Sequence, residues 1–235
     1  MERIQKLVVT LGAAALLAAA PMASARAQPR ALDAIVDGVQ DRYQKTQFFQ
    51  ARFQQTSALA SLDEKQESRG RVFIRKPGMM RWVYEFPEKQ LLVSDGLNYW
   101  VYTPRQKQVI LTRFGDAFRS KTPLAFLAGN GKICDEFDVR FAKKPPKTED
   151  GPSADHRLVL TPKAAHPGLK EILLEVRRED FLIVRSALID PFGNVTDIRF
   201  EEIRVDKIPP LALFTFRIPP GVEVVRPPRL PGNSQ

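Results

Sequence analysis

Side chains that transfer protons, attack carbonyls or bind metals are few in this sequence of 235 residues, and they do not converge. His156 and His166 sit beside loop signals, Asp155 next to the first and Pro167 after the second, and neither has a second ligand at a metal-site spacing. Cys134 is the single cysteine, with no histidine near it in sequence, and reads as a lone, partly buried thiol. Ser94 and Ser186 lack the Gly-x-Ser-x-Gly turn that presents a nucleophile. Gly129-Asn130-Gly131-Lys132 lacks the spacing of a phosphate loop and the Ser or Thr after its lysine. Glu201 and Glu202 alternate faces on a strand and cannot act on one atom. A working active site needs a converging set of groups, so the sequence points away from an enzyme and implies no metal or cofactor.

What it offers instead is bulky apolar material at strand and helix spacing. Phe49 and Phe53, then Met80, Trp82 and Tyr84, then Leu92 fall on one side of successive strands. Val39 and Tyr43, and further along Leu124 and Leu127, fall on helical stripes. Periodicity alone does not separate a solid core from a hollow lined by the same residues, because both need the same alternation.

The elements that must position these residues follow from the change of period. Leu32, Ile35, Val36, Val39 and Tyr43 recur every three or four residues and predict an amphipathic helix ending between Gln44 and Gln47. From Phe49 the period becomes two, and strand signals dominate to the end: 70–75, 80–86, 91–94, 97–102, 108–112, 136–142, 158–161, 169–177, 183–190, 194–205 and 214–218. Pro77-Gly78 and Asp95-Gly96 mark turns, the second a strong hairpin signal because both residues tolerate positive φ. Leu124 to Leu127, after Pro123 and before Gly129, predicts a short apolar helix. Lys143 to Pro152, rich in lysine, proline and acidic residues, reads as a loop tip. Consecutive strands with almost no helix between them predict one strongly curved antiparallel sheet. The pattern therefore reads as mainly β, about ten strands in a sheet that bends toward a barrel and whose concave face the helices cover.

The ends add the compartment. Arg3 and Lys6 precede an apolar run from Leu7 to Ala20, then Pro21 and Ala25-Arg26-Ala27, the pattern of a cleaved signal peptide over residues 1–27. The domain is expected over 28–222, with 223–235 a proline-rich tail. A single cysteine allows no internal disulfide, so the exported domain must rest on its apolar core. The whole chain carries 36 basic against 27 acidic residues. Without Arg3, Lys6, Arg26 and Glu2 the count is 33 against 26, a surplus of 7 that favours anionic partners. Export argues against nucleic acid.

Several segments together resemble the LolA family of periplasmic lipoprotein carriers. Gly70-Arg71-Val72-Phe73-Ile74-Arg75-Lys76-Pro77-Gly78-Met79-Met80-Arg81-Trp82-Val83-Tyr84 is similar to that family's first signature, and Leu92-Val93-Ser94-Asp95-Gly96 with Tyr99-Trp100-Val101-Tyr102 to its second. Thr122-Pro123-Leu124 through Asn130, Leu158 to Lys163, and Phe214-Thr215-Phe216 with Pro219-Pro220-Gly221-Val222 continue the likeness in order. The resemblance implies a mainly β fold with a helical lid, an open, incomplete antiparallel barrel of about ten to eleven strands covered by short helices. It implies an acyl-chain-binding surface, here Phe49, Phe53, Val72, Met80, Trp82, Tyr84 and Leu92, under a lid that includes Val39, Tyr43, Leu124 and Leu127. It also implies a latch: members commonly have arginine where this chain has Lys76, with Arg75 and Arg81 as neighbours that alternation leaves undecided. Lysine lacks the planar fork of donors, so multidentate bonding to lid carbonyls is not assured. The partners implied are acylated lipoproteins, an inner-membrane release complex and an outer-membrane receptor where one exists, with transient membrane proximity and a monomeric carrier. An exported sensor or regulatory domain of the same architecture, binding a protein, is the other reading open at this point.

Overall fold

The computed structural model describes residues 27–62, 64–117, 132–143 and 156–227. The described chain begins with helix α1 (Ala27–Lys45), and twelve strands make up a single sheet. β1 (Phe48–Leu59) and β2 (Glu64–Arg75) are the longest at 12 residues each. β3 (Met79–Phe86), β4 (Gln90–Asp95), β5 (Asn98–Thr103) and β6 (Gln108–Arg113) extend a meander from them. After the one-turn helices α2 (Phe114–Ala117) and α3 (Ile133–Glu136), a second meander runs through β7 (Phe137–Phe141), β8 (His156–Pro162), β9 (Glu171–Val176), β10 (Ile183–Ile189) and β11 (Val195–Arg204). The last strand is β12 (Glu223–Val225). The two meanders join where β11 pairs antiparallel with β1, giving the order β12-β6-β5-β4-β3-β2-β1-β11-β10-β9-β8-β7. The sheet does not close: β7 and β12 are its edges.

Burial follows the predicted alternation most clearly on β1 and the second half of β2. On β1, Phe49, Ala51 and Phe53 are buried while Arg52 and Gln54 are exposed. Cross-strand partners carry that face along the sheet: Ala51 faces Val72, Val72 faces Trp82 and Trp82 faces Leu92. Phe53 faces Phe200 on one side and Gly70 on the other. Glycine is required there, because a Cβ at Gly70 would lie 1.9 Å from the Val83 carbonyl oxygen and 3.1 Å from the Phe53 ring. The Asp95-Gly96 turn forms as expected, with Gly96 at φ +95° and the Asp95 carboxylate accepting from the Leu97 and Asn98 N–H groups at 2.8 and 2.7 Å.

The structure departs from the sequence reading near the C-terminus. Residues 214–218 are not a strand: Leu211–Phe214 is a 3₁₀ turn, and the chain beyond it runs irregularly until β12. Pro209, Pro210, Pro219 and Pro220 bracket this stretch, and proline donates no hydrogen bond to a ladder. β12 pairs in parallel with β6 and lies within the stretch read as tail. Cys134 is exposed rather than partly buried. The short helix expected around Leu124 and Leu127 lies outside the described residues, as does the expected signal peptide up to Arg26.

Candidate functional site

α1 lies on the inner face of the sheet. Its stripe of Val36, Val39 and Tyr43 is buried in the main core with Phe49, Phe53, Val72, Met80 and Trp82. At its end the Thr46 N–H and hydroxyl both turn back to the Arg42 carbonyl, at 3.0 and 2.8 Å, satisfying an acceptor that the last turn leaves open. Three contacts fix where the helix sits. The Ile183 N–H on β10 donates to the Tyr43 hydroxyl at 3.1 Å. Gly38 meets the Phe181 ring so closely that a Cβ would lie 2.6 Å from it. Lys76 Nζ donates to the Tyr43 carbonyl from the end of β2.

Within this packed half the rings lock edge to face. Phe53 sits 4.9 Å from both Trp82 and Tyr84, at 63° and 73°, and Phe49 sits 5.5 Å from Phe200 at 87°. Such pairs add to the burial term. Phe49, Phe53, Val72, Met80 and Trp82 are all 3 % exposed or less, so these five of the predicted set form a filled core under α1. Tyr84 and Leu92 are half-buried at its border. The Tyr84 hydroxyl donates to Gln55 Oε1 at 3.0 Å, and burial pushes its pKa up to about 12.

The same face continues past the border. Leu92 faces Val101, and Val101 faces Ile110, all on the Trp82 side of the sheet and all half-buried. Tyr99 stands one row away, opposite Ser94, its phenol pKa raised first by burial and then by nearby Tyr84. An apolar wall thus extends over β4, β5 and β6 beside the filled core. Val101 and Ile110 escaped the sequence reading, although the alternation within Tyr99-Trp100-Val101-Tyr102 and in β6 held the signal: the missing step was carrying the Trp82 face across the pairs with Leu92 and Val101.

The three cations at the expected latch separate. Lys76 reaches α1, and burial lowers its pKa from the ordinary lysine range. Arg75 and Arg81 point to the other face, where Arg75 donates to the Pro209 carbonyl at 3.1 Å and Arg81 to the Leu213 carbonyl at 3.0 Å. There they hold the C-terminal segment over a small second core of Val93, Val109 and Phe214, each 1 % exposed or less, with Phe216 packed 6.1 Å from Trp100 and 5.6 Å from Tyr102.

With this architecture, residues 44–217 match the family described as "Outer membrane lipoprotein carrier protein LolA". The chain belongs to the LolA family. It is 31 % identical over 225 residues to the outer-membrane lipoprotein carrier protein of Pseudomonas aeruginosa, covering 94 % of this chain and 99 % of that one. It is 33 % identical over 225 residues to the protein of that name from Chromobacterium violaceum, covering 96 % and 98 %. Among solved structures, an uncharacterized conserved protein from Thermus thermophilus superposes with a TM-score of 0.52 at 17 % identity, covering 84 % of this chain and 99 % of that one, which speaks for the fold alone. The open sheet capped on its inner face by α1 agrees with what the resemblance implied, with twelve strands in place of ten or eleven.

His166 serves a turn, its Nδ1 accepting from the Gly168 N–H at 3.1 Å. No group of three or more His, Cys, Asp or Glu that could hold a metal occurs among the described residues.

Proposed function

We propose that this chain is a periplasmic carrier that takes the acyl chains of lipoproteins onto the inner face of its sheet, starting at the wall of Leu92, Val101 and Ile110. Family membership supports the cargo, and the half-buried wall beside a filled core is the observation that supports the place. A hydrocarbon tail laid on that wall gains roughly 0.8 kcal/mol per buried methylene. To go deeper it must displace α1 from Phe49, Phe53, Val72, Met80 and Trp82, which costs the apolar contacts of Val36, Val39 and Tyr43. Entry and lid displacement then offset each other, and a partner with a slightly better apolar site can take the cargo without any nucleotide.

Lys76 acts as the latch of this lid. The bond of its ammonium to the Tyr43 carbonyl holds the last turn of α1 and gives way to cargo more readily than a guanidinium fork does. Residues 1–27 direct export and are removed, and the carrier works as a monomer. It receives lipoproteins from an inner-membrane release complex, approaches membranes only transiently, and hands its cargo to an outer-membrane receptor. It performs no chemistry on the cargo. A regulatory domain of the same architecture is not favoured, since relatives sharing nearly the whole length are named carriers.

The test is lipoprotein release from spheroplasts by the purified protein. A soluble complex is expected with the wild-type chain and not with Val101→Arg, which puts a charge on the wall without touching the core. If the wild-type chain releases no lipoprotein, the carrier reading fails.

A further inference from the structure

The two faces of β7 to β10 differ in a way the carrier role does not use. Cross-strand register places Arg140 opposite Val159, Val159 opposite Leu173 and Leu173 opposite Ala187, all on the face away from α1. An outer face of an antiparallel sheet is ordinarily polar. Here Val159 and Ala187 are only 3 % and 4 % exposed, and they floor a cavity of about 390 Å³. That is the size of a small-ligand site, and so is the composition, an apolar floor with a few charged groups around it.

The rim narrows the ligand. Glu175 bridges Arg157 at 3.2 Å and Arg185 at 3.1 Å, Arg185 also donates to Asp197 at 2.9 Å, and Arg140 pairs with Glu171 at 3.2 Å. Arg140 and Arg185 are hydrogen-bonded to these carboxylates, while the buried Arg157 Nε has an ion-pair neighbour but no hydrogen-bond partner among the described residues. On the other half of the sheet, Arg75 and Arg81 instead donate to backbone carbonyls and so hold an extended segment of chain. Here the carboxylates draw Arg140 and Arg185 instead of a bound segment, and an alkyl chain lying on Val159, Leu173 and Ala187 needs no hydrogen bonds. Lys143, exposed at the rim, has no carboxylate partner among the described residues. We propose that this cavity binds a single-chain anionic amphiphile, its alkyl part on Val159, Leu173 and Ala187 and its head group at Lys143, as a site separate from the inner-face wall.

Titration calorimetry of the delipidated protein with dodecanoate tests this, with dodecyltrimethylammonium as the probe of equal chain and opposite charge. Dodecanoate is expected to bind and the cationic probe to bind at least about tenfold more weakly, the size of one well-placed charge in a partly dry site. Ala187→Phe, which fills the cavity, should weaken dodecanoate by about tenfold or more. Lys143→Glu, at an exposed position where misfolding is no concern, should weaken it about fivefold. Val101→Arg, which removes only the inner-face wall, should leave the Lys143-dependent part of dodecanoate binding unchanged. Equal binding of both probes, no binding, or indifference to Lys143→Glu overturns the proposal. So does loss of dodecanoate binding in Val101→Arg alone, which places the alkyl chain on the inner face and leaves the carrier reading standing. Lipoprotein release by Lys143→Glu should equal wild type, so the two readings fail separately.

Discussion

One row of residues crosses the inner face of the sheet through two regions with different fates. Ala51, Val72 and Trp82 lie under α1 and are 3 % exposed or less; Leu92, Val101 and Ile110 continue the same row and are half-buried. Residue type does not explain the step, since both stretches are apolar. The footprint of α1 does. A helix of 19 residues is about 28 Å long and about 10 Å wide, so it covers a few strands of twelve. Its contacts run to Ile183, Phe181 and Lys76, which anchors it over the β1, β2 and β9 to β11 side. Stability and cargo binding are therefore expected to be served by neighbouring stretches of one surface, and substitutions can separate them.

The largest effect is expected at the filled end. Phe53→Ala removes a ring that meets both Trp82 and Tyr84 at 4.9 Å and should cost about 3–5 kcal/mol in urea denaturation. A loss below about 1 kcal/mol would mean that this half is hollow too.

A smaller loss, about 1 kcal/mol, is expected for Lys76→Met, which keeps the stem and deletes the bond to the Tyr43 carbonyl. Hydrogen exchange should show it as faster exchange in the last turn of α1, with β4 to β6 unchanged. Lys76→Arg should restore protection; if exchange rises across the whole sheet instead, Lys76 is not a local latch.

Alkaline pH probes the border between the regions. Burial raises the pKa of Tyr84 to about 12, against about 10 in the unfolded chain. The neutral form is therefore favoured by folding: the contribution is complete below about pH 10 and is lost as pH rises through about 12. Stability should fall over that window, and Tyr84→Phe should flatten the fall. An equal fall in Tyr84→Phe would assign it to Tyr43 and Tyr99, whose pKa values burial also raises.

The smallest change in stability, within about 1 kcal/mol, is expected for Val101→Arg, because a half-buried wall residue can turn a long side chain to water. Lipoprotein release should nevertheless be lost. Unchanged release would move the entry point off this wall.

Much of the fold was legible because alternation is a local property. Phe49, Ala51 and Phe53 against Arg52 and Gln54 give both the strand and its inner face, and Asp95-Gly96 gives the hairpin. The 214–218 stretch misled for the same reason: Phe214, Phe216 and Ile218 alternate, yet Phe214 is buried and Phe216 packs against Trp100 and Tyr102 without joining a ladder, and Ile218 is exposed. The site was legible only in part. Phe53 and Trp82 were recognisable as inner-face aromatics, but that they fill a core while Val101 and Ile110 line a wall depends on where α1 comes to rest.

By itself the sequence determined which residues face inward and where the chain turns, because these follow from period and spacing over a few residues. Tertiary structure alone decided that Lys76 meets α1 while Arg75 and Arg81 clasp the C-terminal segment, that β12 joins β6 in parallel, and that one part of the inner face is filled and its continuation half-buried. Each of those depends on contacts between residues far apart in the chain, and no local pattern records which distant surface a side chain will find.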